Sequence, residues 1–253
     1  DLRKDDFSRL SEFDIESIIN EAAMPGLSSD WSKFATYYDC NLSALNTLLE
    51  FSRNLGIKSF VQASTSSVYG KYATGEEESP LNPISPYGIS KLAAEKLLFA
   101  YQDSFKVPIK ILRYFSVYGP NQRPDMAYSK IIKAIEESSE FSIYGDGTQK
   151  RSNTFVSDIV EATLLADSYE MSDNIFNICG EETYSLNEVI IIIEEIMGKK
   201  LKRIHVSPRK GDQEITSGVS KKARSSLGWV PKTTLYEGLT LQIKDFISKQ
   251  NTQ

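Results

Sequence analysis

Lys58-Ser59-Phe60-Val61-Gln62-Ala63-Ser64-Thr65-Ser66-Ser67-Val68-Tyr69-Gly70 passes from an apolar, β-rich stretch into consecutive hydroxyl side chains. The apolar part (57–63) reads as a strand of a parallel sheet. Hydroxyls at the carboxyl end of such a strand lie where open α/β sheets bind ligands. Shortly after comes Pro83-Ile84-Ser85-Pro86-Tyr87-Gly88-Ile89-Ser90-Lys91. Ser85 followed by Pro86 is a helix start, with serine as N-cap and proline at N1. The helix continues through Ala93, Leu97 and Leu98 to about Phe105.

Working outward, apolar β-rich runs alternate with helical ones, the pattern of a parallel sheet flanked by helices. Residues 17–22 read as a strand. Residues 38–55 read as a helix from the spacing of Leu42, Leu45, Leu48 and Leu49, with Gly56 as C-cap. Residues 107–115 form the next buried strand. After Pro120 the rhythm changes: helices are expected at 127–137, 155–168 and 235–248, and strands at 141–144, 174–178 and 202–206. Gly145-Asp146-Gly147 is a turn, and Ser185 with Glu188 is a capping box opening a further helix. The expectation is a Rossmann-type α/β core over 1–120. A smaller α/β substrate lobe is built mainly from 121–253, with some segments returning to the core. The Glu76–Glu78 run is expected to be a solvated loop.

Composition narrows the function. A net charge of −5 and a pI near 5.2 disfavour nucleic-acid and anionic-membrane partners, which need a basic surface. No apolar run reaches the 18 or more residues of a membrane span. The two cysteines, Cys40 and Cys179, have no CxxC spacing, as in a reduced cytoplasmic protein. His205 is the only histidine, which removes Ser-His-Asp hydrolysis and histidine-based metal sites, so no metal is expected.

Another residue must therefore act as the general base. Tyr87 and Lys91 lie four apart on one helix face. A free tyrosine has a pKa near 10, and a neighbouring ammonium favours its phenolate. Such a pair can take a proton from a substrate hydroxyl. With 13 tyrosines in the chain, about one Tyr-x-x-x-Lys arises by chance, and an ordinary surface pair fits the spacing equally.

Position changes that reading. The hydroxyl-rich strand end, the Tyr87/Lys91 helix and then Leu112-Arg113-Tyr114-Phe115-Ser116-Val117-Tyr118-Gly119-Pro120 follow one another in order. This succession resembles the extended short-chain dehydrogenase/reductases. Within them it is similar to the NAD-dependent sugar-nucleotide epimerase/dehydratase family, and nearest to the UDP-glucuronate and UDP-glucose 4-epimerases, over residues 1 to about 238. The resemblance implies that Tyr87 is the base, that Lys91 supports it and the nicotinamide ribose, and that Thr65 binds the reacting hydroxyl. It also implies NAD contacts at Asp1, Leu2, Ala22, Ala23, Asn41 and Phe115. For Asn41 a bond within its own helix remains open. The family's GxxGxxG loop, whose helix N-terminus cradles the pyrophosphate, is not found among the 14 glycines. By resemblance it precedes Asp1, together with on the order of 60 residues of strand and helix, and the chain as given lacks part of the cofactor site.

Dehydratases of this family carry Asp-Glu after the catalytic threonine; here Ser66 and Ser67 stand there. Without extra carboxylates the resemblance implies 4-epimerisation of a UDP-sugar with NAD regenerated in each cycle. Arg151 and Arg209 match arginines facing the diphosphate, with Asp212 near the uridine ribose; guanidinium forks suit phosphate oxygens. Arg-Pro-Asp-Met at Arg123–Met126 resembles UDP-glucuronate 4-epimerases, where Thr65, Ser66, Ser67, Ser116 and Arg123 would surround the sugar carboxylate. For Arg123, contact with a phosphate or an aspartate remains open. Readings left beside this one are a UDP-glucose or UDP-N-acetylglucosamine 4-epimerase, a UDP-glucuronate decarboxylase, and a non-catalytic sugar-nucleotide binder. A homodimer is implied, built from the helices beginning near Tyr38 and Ser85.

Overall fold

The computed structural model describes all residues except 5–6, 27–30, 171–173, 209–212 and 251–253. In order, its elements begin with β1 (Ser17–Asn20) and a helix of three parts: α1 (Phe34–Tyr38), a π-helical turn (Asp39–Ser43) and α2 (Ala44–Ser52). Then come β2 (Ser59–Thr65), a 3-10 turn (Ser66–Tyr69), β3 (Tyr72–Ala73), α3 (Pro86–Phe105), β4 (Ile109–Tyr114) and β5 (Ser116–Tyr118). The second half holds α4 (Ala127–Glu136), β6 (Glu140–Tyr144), β7 (Lys150–Phe155), α5 (Val156–Asp167), β8 (Ile175–Ile178) and β9 (Thr183–Ser185). It closes with α6 (Leu186–Met197), β10 (Lys202–Val206), β11 (Ile215–Thr216), α7 (Lys221–Leu227) and α8 (Leu235–Gln250).

The main sheet is parallel, in the order β1-β2-β4-β8. Every residue of β2 is buried, which explains why its sequence does not alternate. Phe60 packs with Leu45, Leu48, Ala94 and Leu98 of α2 and α3 on one face. Val61 packs with Ile159, Ala162, Phe176 and Trp229 on the other. Burying each such side chain contributes about 1.5–3 kcal/mol, and the result is a three-layer α/β fold with the strand ends free to carry function.

The second body of packing joins α4, α6 and α8 around Ile131, Ile135, Ile190, Ile193 and Leu239. It sits beside a sheet ordered β3-β11-β7-β5, to which β9 adds antiparallel, and a β10–β6 parallel pair. The Ser185–Glu188 capping box forms as the sequence predicts. So does the cap of α3, where Ser85 Oγ accepts the Gly88 N–H at 3.1 Å. Among the described residues, no helix is long and apolar enough to cross a membrane, and no cluster of His, Cys, Asp or Glu is placed to hold a metal.

Two expectations change. The helix expected from Tyr38 begins at Phe34 and contains a π turn; the leucine spacing reports only its later, core-facing part. The Glu76–Glu78 run is not simply solvated. Glu77 is buried, and its Oε1 accepts the Asn177 N–H at 2.7 Å. A buried carboxylate requires such a partner, and that partner lies 100 residues away.

Candidate functional site

Thr65 ends β2 in extended geometry and caps the following 3-10 turn, its Oγ1 accepting the Ser67 N–H at 3.1 Å. Its Oγ1 also lies 3.2 Å from Ser67 Oγ. Thr65, Ser66 and Ser67 are therefore presented together, all three buried. The start of α3 packs directly on this turn. A Cβ at Gly88 would stand 2.7 Å from the Ser67 carbonyl oxygen, so only glycine lets the helix come this close.

That approach sets Tyr87 against Thr65. Burial raises the Tyr87 pKa above its ordinary value, and the hydrogen bond from Thr65 and the charge of Arg123 oppose the rise. The ring of Tyr37 lies beside it, centroids 6.2 Å apart. Lys91, one turn on, is buried, and its Nζ donates to the Ala63 carbonyl at 2.5 Å. Burial lowers its pKa to about 8, against the pull of Glu21 and Glu95. The sequence expectation pairs Lys91 with Tyr87; its hydrogen bond goes to the strand end instead.

The residues after β1 complete this rim. The Ala22 N–H donates to Asn20 Oδ1 at 3.1 Å, and Asn20 in turn donates to Gln62 at 2.8 Å. Asn41, buried in the π turn, accepts from the Met24 N–H at 2.7 Å and donates to Ser90 Oγ at 2.9 Å. It thus ties the loop after Ala22 and Ala23 to the helix that carries Tyr87 and Lys91. Small side chains at the carboxyl end of a parallel strand, followed by a pinned loop, suit the close approach of a dinucleotide.

The remaining expected residues divide. Phe115 is buried against Tyr69, and Ser116 opens β5 opposite Asn153. Arg123 forms a two-pronged pair with Asp125, each prong 2.9 Å, and is half-exposed. Arg151 in β7 donates to the carbonyls of Gln213 and Glu214. Asp1 meets Arg3 at the surface, and Leu2 packs on the α2–α3 cluster, away from Tyr87. Arg209 and Asp212 lie outside the described residues.

Three residues of the site were not expected from the sequence. Glu21 accepts from the Tyr114 hydroxyl at 2.8 Å and acts electrostatically on Tyr87 and Lys91. Its one signal is its place directly before Ala22-Ala23. Gln213 is buried and donates to the Gly70 carbonyl at 2.7 Å, linking the strand next to Arg151 to the serine turn. Glu95, one turn beyond Lys91, is buried against Arg113; helical spacing alone could have placed it on the inner face.

Residues 1–179 match the model of the NAD dependent epimerase/dehydratase family. An uncharacterized UDP-glucose epimerase, YtcB, of Bacillus subtilis is 42% identical over 233 residues, covering 90% of this chain and 73% of that protein. The UDP-glucuronate 4-epimerase of Thermodesulfobacterium geofontis is 35% identical over 244 residues, covering 95% of this chain and 75% of that protein. The crystal structure of UDP-glucuronic acid 4-epimerase from Bacillus cereus with UDP-glucuronic acid and NAD superposes with a TM-score of 0.94. It is 34% identical and covers 98% of this chain and 80% of its own.

Proposed function

The chain belongs to the NAD-dependent epimerase/dehydratase family, and we propose that within it this protein interconverts UDP-glucuronate and UDP-galacturonate. It is an NAD-dependent UDP-sugar 4-epimerase in its broader chemistry. The observation that supports the finer reading is the pocket rim itself. Thr65, Ser66 and Ser67 bring hydroxyls and no carboxylate beside Tyr87, and the Arg123 charge reaches Tyr87. A turn without acids has no group for eliminating water, so it suits one reversible proton and hydride exchange. Hydroxyls and a guanidinium are also the groups that would hold a sugar carboxylate still, which protects a 4-keto acid from losing carbon dioxide.

Tyr87 would take the C4 hydroxyl proton, with Thr65 holding that oxygen in reach. Lys91, charged below about 8, favours the phenolate and fixes the end of β2 through Ala63. Bound NAD supplies the hydride acceptor and donor; Tyr87, Lys91 and the loop held by Asn41 would contact it. Arg151, held beside Gln213 and Glu214, would face the diphosphate.

The test is a substrate panel with NAD. UDP-glucuronate should yield UDP-galacturonate; UDP-xylose as the only product would replace epimerisation with decarboxylation. Arg123→Ala should weaken use of the acid sugar by about 10–100-fold, the value of a charge-assisted hydrogen bond, and leave UDP-glucose unchanged. The pairing of Arg123 with Asp125 favours a second reading, a neutral UDP-sugar, because the fork is already occupied. A panel in which UDP-glucose outruns UDP-glucuronate would establish it.

We further propose a cytoplasmic homodimer packed through the α1–α2 and α3 helices. Exposed Tyr38 and Phe105 and the free thiols Cys40 and Cys179 support this reading.

A further inference from the structure

We infer that Glu95 and Arg113 form a buried positioning pair that sets where Thr65 stands relative to Tyr87 and Lys91; the inference rests on the 4-epimerase reading. Both residues are 1% exposed. Arg113 Nε and one terminal nitrogen donate to the two Glu95 oxygens at 3.0 and 2.8 Å. Desolvating two such charges costs several kcal/mol each, and replacing a buried pair by apolar groups is often neutral or stabilising. Stability alone therefore does not account for the pair. Its remaining hydrogen bonds show what it holds.

Glu95 Oε1 also accepts from Ser64 Oγ at 2.5 Å. The other Arg113 terminal nitrogen donates to the Tyr69 hydroxyl at 2.8 Å and to the Glu77 carbonyl at 2.9 Å. The Tyr69 hydroxyl donates to Asn177 Oδ1 at 2.7 Å, and Asn177 donates its N–H to Glu77. Ser64, near the end of β2, and Tyr69, the last residue of the 3-10 turn, flank Thr65, Ser66 and Ser67. One ion pair thus grips both sides of that segment. The same Glu95 belongs to the helix bearing Lys91, whose Nζ rests on Ala63, the residue before Ser64. Any slide of α3 along β2 would carry Tyr87 and Lys91 together past Thr65. Neither member of the pair reaches the reacting atoms.

A positioning role predicts a loss in kcat with KM preserved, since a displacement near 1 Å can cost about 10²-fold. A purely structural role predicts less folded protein with normal turnover per folded molecule. Ser64→Ala removes one grip and leaves the ion pair; kcat should fall about 10-fold at unchanged KM and nearly unchanged Tm, a fraction of that geometric penalty. Glu95→Gln should fall about 10²-fold. The groups facing Lys91 are Glu21, from the loop after β1, and Glu95 on its own helix. Loss of the Glu95 charge should move the Lys91 titration, followed by 13C NMR of labelled lysine, to lower pH. Glu95→Asp restores the charge on a shorter stem, so the titration should return while kcat does not.

Turnover per folded molecule unchanged in Ser64→Ala and Glu95→Gln, with only Tm lowered, would overturn the inference. If Glu95→Gln does not fold, Ser64→Ala decides it. If the unmutated full-length protein turns over no UDP-sugar, the functional reading fails. The NMR titration and the position of Thr65 in a Ser64→Ala crystal structure still report whether the pair sets the site.

Discussion

The two ends of the site are built differently. At the sugar end, Thr65, Tyr87 and Lys91 are buried or half-buried, and protein hydrogen bonds fix them before any ligand arrives. At the arginine rim, the cations reach toward solvent and are satisfied by the protein itself: Arg123 by Asp125, Arg151 by the carbonyls of Gln213 and Glu214. The first arrangement is preorganised, which serves a rate. The second requires a ligand to displace existing partners, which serves discrimination. Changes around Tyr87 should therefore act on kcat, and changes at the arginine rim on which sugar is accepted.

The largest effect should come from Tyr87→Phe. General acid–base groups contribute about 10²–10⁴-fold, so kcat should drop about 10³-fold while UDP-sugar binding, followed by calorimetry, persists. Equal losses in kcat and binding would mean that Tyr87 shapes the pocket rather than moving the proton.

Gly88→Ala should come next. Alanine is the better helix former, by roughly 0.5–1 kcal/mol. Its Cβ would meet the Ser67 carbonyl at 2.7 Å, and neither the backbone of the turn nor the helix can yield freely. The expected outcome is a folded protein with kcat lowered about 10²-fold, the cost of misplacing Tyr87 from Thr65. Normal kcat would show that the two elements are not held as tightly as the comparison requires.

The alkaline limb of the rate is a smaller effect. Lys91 is pulled down to about 8 by burial, so it carries its charge below that value and loses it above. Support for the phenolate disappears as pH rises, and kcat should decline about 5-fold between pH 8 and 9. In a pH–rate profile, a flat response through pH 9 would sink this assignment.

The division between the ends also governs what could be read in the sequence. The strand 59–65, the Ser85-Pro86 helix start and the Ser185/Glu188 box depend on local spacing and capping, and local chemistry is what a sequence displays. Tyr87 and Lys91 stood out only through the order of motifs around them, since their spacing alone arises by chance. The Glu95–Arg113 pair, buried Glu77 and Gln213 were not, because hydrophobic patterning places charged and amide side chains outside. Each is buried only because a distant partner satisfies it: Arg113 for Glu95, Asn177 for Glu77 and Gly70 for Gln213. Lys91 was legible as a residue but not in its contact, since Ala63 offers a carbonyl that no motif records.

The smallest effect tests the arginine rim directly. Asp125 is a carboxylate at neutral pH, its pKa held down by the Arg123 fork. It occupies the site a sugar carboxylate would need. Asp125→Asn removes the competing charge but keeps the shape. The pair is exposed and screened, worth about 0.2–1 kcal/mol, so the KM for UDP-glucuronate should fall only about 2–5-fold. Tm should be unaffected, and UDP-glucose should not notice the change. A rise in that KM would reverse the reading: Asp125 would then be aiming the guanidinium at its ligand, and the arginine rim would be as preorganised as the surroundings of Tyr87.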